Sequence, residues 1–506
     1  MTAVAADRIP VIVAIGEVAD RPTDPAAARE PVVLMADALR AAEADAGVPL
    51  LSALGSIEVV GLISWPYKDP VGLLCEKLGI APARAINASM GGETPIRLVH
   101  DAALRIAAGS NEVAAIVGGE SVNAVQKAQK SGAKLDWTPP CSRDEQVKLD
   151  FSKLPMSAAA KAAGAVAPVH IYPFYENAVQ AVKGVTPAQG RKASAELWAR
   201  YAKVAADNPY AWLRNAPSAE EIGEVSVSNR PISFPYTKFN VANMIVNQSG
   251  AVVVASLAWA RAAGIPEDKL IHIWGGAAAA EPGDYMERDD YTHSSAQRAV
   301  LEKAVEVAGG DAAKFDLAEL YSCFPVVPKM AIEIAGLRPE VEPTTAGGLT
   351  FFGGPLNNYM THGLAGMVRK LRNGEGKLGL VYGQGGVVSK HHAIVVSTEP
   401  APAPLAPSYK VQDRADAERG PVPEVTEDYA GPATIETWTV IHKPDGSVQN
   451  GAVIARTPEG KRLIASVPAD DTATIAVLTD MERNAVGRSG TVSKDAEGKM
   501  IWRDAA

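Results

Sequence analysis

The stretch NASMGGETPIRLVHDAALRIAAGSNEVAAIVGGE, Asn87–Glu120, decides how the rest of the chain is read. It leaves a strand, turns at Gly91-Gly92 and enters a helix near Thr94-Pro95. A threonine cap followed by proline in the first turn is a strong helix start. Ile96, Val99, Ala103 and Ile106 recur at helical spacing, and Gly109 closes the run. Val113 to Val117 is then a continuous apolar strand, as inside a covered parallel sheet. A helix N-terminus aimed out of such a sheet is a place to stabilise developing negative charge.

The second half repeats this unit. Gly353-Gly354 opens a helix that carries His362 at the offset at which the first carries His100. Each helix runs to a buried strand and a glycine pair, Gly118-Gly119 or Gly385-Gly386. Two matched units predict a duplication with a pseudo-twofold core. Upstream, Arg8–Gly16 and Ile57–Ile63 read as strands, Pro31–Ala46 and Pro70–Leu78 as helices, which implies a parallel sheet covered on both faces. Residues Asn123 to Val241 break the rhythm with Lys127, Lys130, Lys134, Lys148, Pro139-Pro140 and the aromatic run His170–Asn177. Tyr236–Asn247 and the turn Gln248-Ser249-Gly250-Ala251 read as a return to the sheet. Glu399–Pro407, EPAPAPLAP, is a proline-alanine linker. Beyond it, Thr434–Ile441, Ala452–Arg456 and Arg462–Val467 predict a small β-barrel.

At 506 residues the chain can hold more than one core, and 47% hydrophobic with 21% charged residues describes an ordinary globular protein. A net charge of −9 speaks against nucleic acid and anionic membranes as partners. Three cysteines with no close pair suggest neither a disulfide framework nor a metal knot. No apolar run reaches the ~18 residues of a membrane span, and the expected location is the cytoplasm.

Asn87, its helix and Gly118-Gly119-Glu120-Ser121 resemble the first catalytic turn of the thiolase superfamily. Leu320–Phe324, Gly353-Gly354-Pro355 and Val381–Gly385 resemble that family's other three turns. The run Gly353–His362 and the added barrel are similar to the type 1 thiolase-like proteins. The resemblance implies an α/β duplicated thiolase fold, layered αβαβα, with an inserted loop domain and a small OB-like C-terminal β-barrel. The implied domains are 1–265 (loop domain about 123–241), 266–398 and 408–506. It also implies an acetyl-CoA acetyltransferase-like acyltransferase of lipid metabolism, with a coenzyme A thioester as substrate and no tightly bound cofactor or metal. Lys127, Lys130 and Lys134 would meet coenzyme A phosphates, or simply form a solvated helix face. The oligomer could be a homodimer, and the barrel could dock a protein partner.

Each family turn has changed, however. No cysteine stands at the first: counting from Asn87 puts Met90 in the nucleophile's place, counting back from the helix puts Gly92 there. Gly354 replaces the activating histidine, and the last turn lacks the second cysteine. Claisen chemistry needs a thiolate to hold the acyl group and a base to make it. Cysteine-less branches of the superfamily cleave carbon–carbon bonds by retro-aldol chemistry and carry a tyrosine in the second turn, where this chain has Tyr321. The expected site therefore has Tyr321 as proton shuttle, His362 or His391 supplying positive charge, and Met90, Gly91, Gly92, Gly353, Gly354, Asn358, Tyr382, Gly383, Gln384 and Gly385 forming the surrounding turns. Cys323 reads as a small buried hydrophobe, and His362 equally as a structural histidine. The competing reading is a non-catalytic acyl-CoA or lipid binder.

Overall fold

The computed structural model describes residues 4–110, 113–142, 144–146 and 156–505; Lys148 lies outside them. In chain order the first strands are β1 (Pro10–Ala19), β2 (Ser56–Val59), β3 (Arg84–Asn87), β4 (Ala114–Ser121), β5 (Pro231–Ser233), β6 (Tyr236–Thr237), β7 (Asn247–Ser256) and β8 (Ile271–Ala280). They are followed by β9 (Leu317–Leu320), β10 (Leu378–Gly385), β11 (Lys390–Ser397), β12 (Gly431–His442), β13 (Val448–Arg456), β14 (Arg462–Pro468), β15 (Ser489–Lys494) and β16 (Met500–Asp504). The helices of the first half are α1 (Pro31–Ala46), α2 (Pro70–Leu78), α3 (Thr94–Ala107), α4 (Val122–Ser131), α5 (Ala158–Ala162), α6 (Pro168–Val182), α7 (Pro187–Asp207), α8 (Ala219–Gly223) and α9 (Leu257–Ala263). Those of the second half are α10 (Ser295–Val307), α11 (Val326–Ala335), α12 (Tyr359–Arg372), α13 (Gln412–Glu418) and α14 (Thr472–Leu478).

Nine strands join in the order β3-β2-β4-β7-β1-β8-β11-β10-β9. From the centre outward the two sides match. β1 and β7 are antiparallel and lead to the parallel set β4, β2 and β3; β8 and β11 are antiparallel and lead to the parallel pair β10 and β9. The halves meet where Val11 and Ile12 pair with His272 and Ile271. Alternation along each strand divides its side chains between layers. Ile116 faces the core around α3, whereas Ala115 and Val117 face the core around α1. α3 and α12 pack against each other, and each touches strands of both halves. The expected duplication with a central helix pair is therefore present.

Local chemistry explains where elements end. α3 begins at Thr94, as its Pro95 signal predicts, but its cap residue is Glu93, not the threonine. β2 stops at Val59 instead of Ile63, because the buried Glu120 carboxylate accepts the Ile63 and Ser64 amides at 2.9 and 2.8 Å and draws the chain out of the ladder. The aromatic run His170–Asn177 lies inside α6, with Tyr172, Phe174 and Tyr175 buried.

The C-terminal strands close a ring of five, β12-β13-β14-β16-β15, back to β12. Two elements join it from the inserted segment. β5 pairs with β12 through Ser233 and Ile441, and β6 pairs with β5. Tyr236–Thr237 thus extend the barrel sheet and do not return to β7, because Phe234 is buried in the barrel core against Trp438. Among the described residues no helix is long and apolar enough to cross a membrane.

Candidate functional site

The site forms where β3, β9 and β10 run out at the N-terminal end of α3. Such crevices at carboxyl ends of parallel strands are where open α/β sheets bind ligands. Three chain segments converge there, and glycines set how closely they approach. A β-carbon on Gly92 would run into the Tyr321 hydroxyl and the Gln384 carbonyl oxygen. One on Gly385 or Gly91 would run into the Glu93 carboxylate. One on Gly383 would lie 2.8 Å from Ile96 and 3.1 Å from the Glu93 backbone. The turn Met90–Glu93 is therefore seated on the end of β10, with Tyr321 filling the space beside Gly92.

Tyr321 leaves β9 with its amide donating to the Tyr382 carbonyl at 3.0 Å, which fixes the direction of its ring. Its edge meets the Tyr359 ring at 6.2 Å. The residue is 7% exposed, and its hydroxyl makes no hydrogen bond among the described residues. Burial raises the phenol's pKa well above its ordinary value, and the neighbouring Cys323 and Glu93 raise it further. Tyr321 is thus a neutral phenol with a free hydroxyl.

Glu93 is the buried acid at this turn that sequence reasoning missed. It is 6% exposed, and its Oε2 has no hydrogen-bond partner among the described residues. Burial raises its pKa; Lys390, its own backbone amide and Arg97 partly offset this. A buried carboxylic acid that acts electrostatically on a neighbouring phenol is a chemically suggestive combination. The signal was present in the run Gly91-Gly92-Glu93, but an acid in a first helical turn is ordinary for the helix dipole and draws no notice.

The other side chains around the turn are polar and committed. Tyr172 on α6 donates to Gln384 Oε1 at 2.7 Å and to the Gly386 carbonyl at 3.0 Å. Cys323 Sγ lies 3.6 Å from the same Gln384 oxygen, and burial pushes its thiol up to about 12. A thiol so protonated is a poor nucleophile. Asn357 accepts the Gly91 amide at 3.0 Å and donates to the Gly61 carbonyl at 2.8 Å, tying the start of α12 to the first turn. Asn358 donates to the Gly118 carbonyl at 2.7 Å. The Gly91 amide is thus unavailable to a substrate oxygen.

This geometry can be set beside known proteins. Residues 411–497 match the family model of the thiolase-like protein type 1 additional C-terminal domain. The fold aligns over 99% of both chains, with TM-score 0.81 and 29% identity, with a monomeric SCP2-thiolase-like protein type 1 from Mycobacterium smegmatis. The chain thus carries that additional C-terminal domain and shares its whole fold with a type 1 thiolase-like protein. Human mitochondrial 3-ketoacyl-CoA thiolase in complex with CoA shares the fold over 79% of this chain and all of its own, at TM-score 0.56 and 15% identity. An Ltp2-ChsH2(DUF35) aldolase does so over 78% of this chain and 99% of its own, at TM-score 0.56 and 20% identity. Comparison with curated proteins yields no match.

In this thiolase-fold chain the expected site residues fall into separate groups. Gly91, Gly92, Gly383, Gln384, Gly385 and Tyr321 come together, and Gly92 rather than Met90 faces Tyr321; Met90 is half-exposed. Gly353 packs against Gln248 and Val246, and Gly354 against Leu349. The expected help from histidine is not found, because both rings make their hydrogen bonds away from Tyr321. His362 Nδ1 lies 2.7 Å from Glu17 within the core, beside the Phe352 ring. His391 Nδ1 lies 2.7 Å from the Tyr382 hydroxyl, its Nε2 faces Ser294, and burial lowers it to about 4. Tyr382 alternates with Gly383 along β10 and so points away from α3. His392, on the opposite face from His391, meets His100 at 3.0 Å. Lys127 and Lys130 on α4 and Lys134 beyond it are exposed, as a solvated face would be.

Proposed function

We propose that the protein acts on an acyl-CoA and cleaves the Cα–Cβ bond of a β-hydroxyacyl thioester without a covalent acyl-enzyme. The observation that carries this is the turn at Gly92: the Tyr321 phenol and the Gln384 carbonyl occupy the space that a nucleophile's side chain would need, and a buried carboxylic acid, Glu93, follows at the next residue. Ionised Glu93 takes the β-hydroxyl proton. The Cα–Cβ bond breaks, its electrons pass into the thioester as an enolate, and a carbonyl compound departs. Tyr321 protonates Cα, leaving a shortened acyl-CoA, and recovers its proton from Glu93. The raised pKa of Tyr321 suits a donor better than a resting base, and that of Glu93 brings a carboxyl toward neutral pH, where general acid–base groups work best. The fold-sharing aldolase supports this class of reaction. Coenzyme A is substrate here, not a bound cofactor.

One observation favours the carrier reading instead: Tyr321 and Glu93 are nearly sealed from solvent. A panel of β-hydroxyacyl-CoA thioesters separates the two, with coenzyme A binding measured in parallel. The cleavage reading requires turnover by the wild type and a loss of about 100-fold or more in Tyr321→Phe with binding intact. Binding of the panel with no turnover in the wild type would leave the carrier.

A further inference from the structure

A cleft of about 220 Å³ lies away from the Gly92 turn, between α7, the β5–β6 hairpin and the barrel. Its wall is mixed: Pro231, Phe234, Pro235 and Met481 are apolar, while Arg191, Tyr236, Thr237, His442 and Thr479 are polar. Most of these polar groups are spent. Tyr236 donates to Glu176 at 2.8 Å, Thr237 to Asn240 at 3.1 Å, and Thr479 to the Ile475 carbonyl at 2.8 Å. Two are not. Arg191 Nε and His442 Nδ1 are buried atoms without a hydrogen-bond partner among the described residues. Arg191 has no ion pair among them either, and no carboxylate lines the cleft. Arg191 is half-buried, and a guanidinium Nε–H withdrawn from water with nothing to accept from it is costly. Arg230 adds positive charge beside His442.

We propose that this cleft binds a small organic anion, a carboxylate or phosphate ester with a flat apolar body. Arg191 offers the planar fork that matches either anion with two parallel hydrogen bonds. His442 supplies a further polar contact from the barrel side, and Phe234, Pro235 and Met481 receive the body. Such a ligand bridges three parts of the chain: α7 and the β5–β6 hairpin from the inserted segment, and the barrel. The proposal stands apart from the chemistry at Glu93 and Tyr321.

The test is calorimetry on the full chain with phenyl phosphate and benzoate, using benzyl alcohol as neutral control. Both anions should bind and the alcohol should not. Arg191→Gln should weaken them about tenfold or more, and Arg191→Lys less. Thr479→Trp, which fills the cleft from the barrel side, should abolish binding while thermal melting shows the fold intact. Free coenzyme A that displaces phenyl phosphate identifies the anion as a coenzyme A phosphate; failure to displace it assigns the cleft to a separate anion. Glu93→Gln should bind the probes like the wild type, so a chain that binds them but cleaves no thioester defeats the catalytic reading and not this one. No binding by the wild type, or equal binding by Arg191→Gln, overturns the proposal.

Discussion

Gly92 concentrates the residue-scale argument, because its missing β-carbon is what lets Tyr321 and the Gln384 carbonyl close over the first turn. Gly92→Ala should cost about 1–3 kcal/mol in chemical denaturation. Tyr321→Phe in the same chain should recover only part of it, since the Gln384 carbonyl remains. A Gly92→Ala chain as stable as the wild type would mean the turn is looser than described. Cys323, the thiol nearest the turn, should stay unmodified when the protein is incubated with acetyl-CoA and its peptides are weighed. An acetyl group there would restore a covalent route. Glu93 sets the pH dependence of cleavage: its carboxyl must ionise to act, so the rate should rise as pH climbs through its raised pKa. Its stability contribution has the opposite trend, full below the ordinary carboxyl value and lost as pH rises through the raised one. Sequence alone exposed Gly91-Gly92 and Tyr321 because glycine pairs and a lone tyrosine in a family turn are distinctive. It hid Glu93, whose importance comes from burial against β10, and it overvalued His362 and His391, whose partners Glu17 and Tyr382 are distant or unremarkable in the sequence.

Among elements, α3 and α12 were legible because their glycine starts and apolar spacing are local signals. Their coupling was not, since it runs through Asn357, 266 positions from the Gly91 amide it accepts. Asn357→Ala should cost about 1–3 kcal/mol by stranding that amide and the Gly61 carbonyl. It should also lower turnover by loosening the first turn. The helix–strand pair His100 and His392 makes a second prediction. Burial lowers His100 to about 3, so its neutral form contributes stability that is present above about 6.5 and lost as pH falls. The stability gap between the wild type and His100→Asn should therefore shrink by about 2 kcal/mol between pH 6.5 and 5. A gap independent of pH would mean the ring gains a proton as freely folded as unfolded.

At the scale of the whole molecule, the barrel is bound into the rest of the chain. Arg462, fully buried on β14, pairs with Glu436 and donates to the carbonyls of Met286, Arg288 and Asp289. Its guanidinium also lies over the Tyr291 ring. Arg462→Ala should cost about 3–5 kcal/mol, read from urea unfolding, because it leaves three carbonyls without their donor and Glu436 with Arg456 as its remaining partner. The linker at Glu399–Pro407 made the barrel readable in sequence, but the inserted β5–β6 hairpin that joins it was not, because two short strands carry almost no periodic signal. Enolate chemistry at Tyr321 and Glu93 is the central proposal, and one measurement reaches it directly: deuterium incorporation at the α-carbon of a saturated acyl-CoA in D2O, followed by NMR. By reversal of the protonation step, the wild type should exchange the α-hydrogens well above buffer, and Tyr321→Phe and Glu93→Gln should each lose the exchange while still binding the thioester. No exchange by the wild type, or undiminished exchange by both variants, would contradict it.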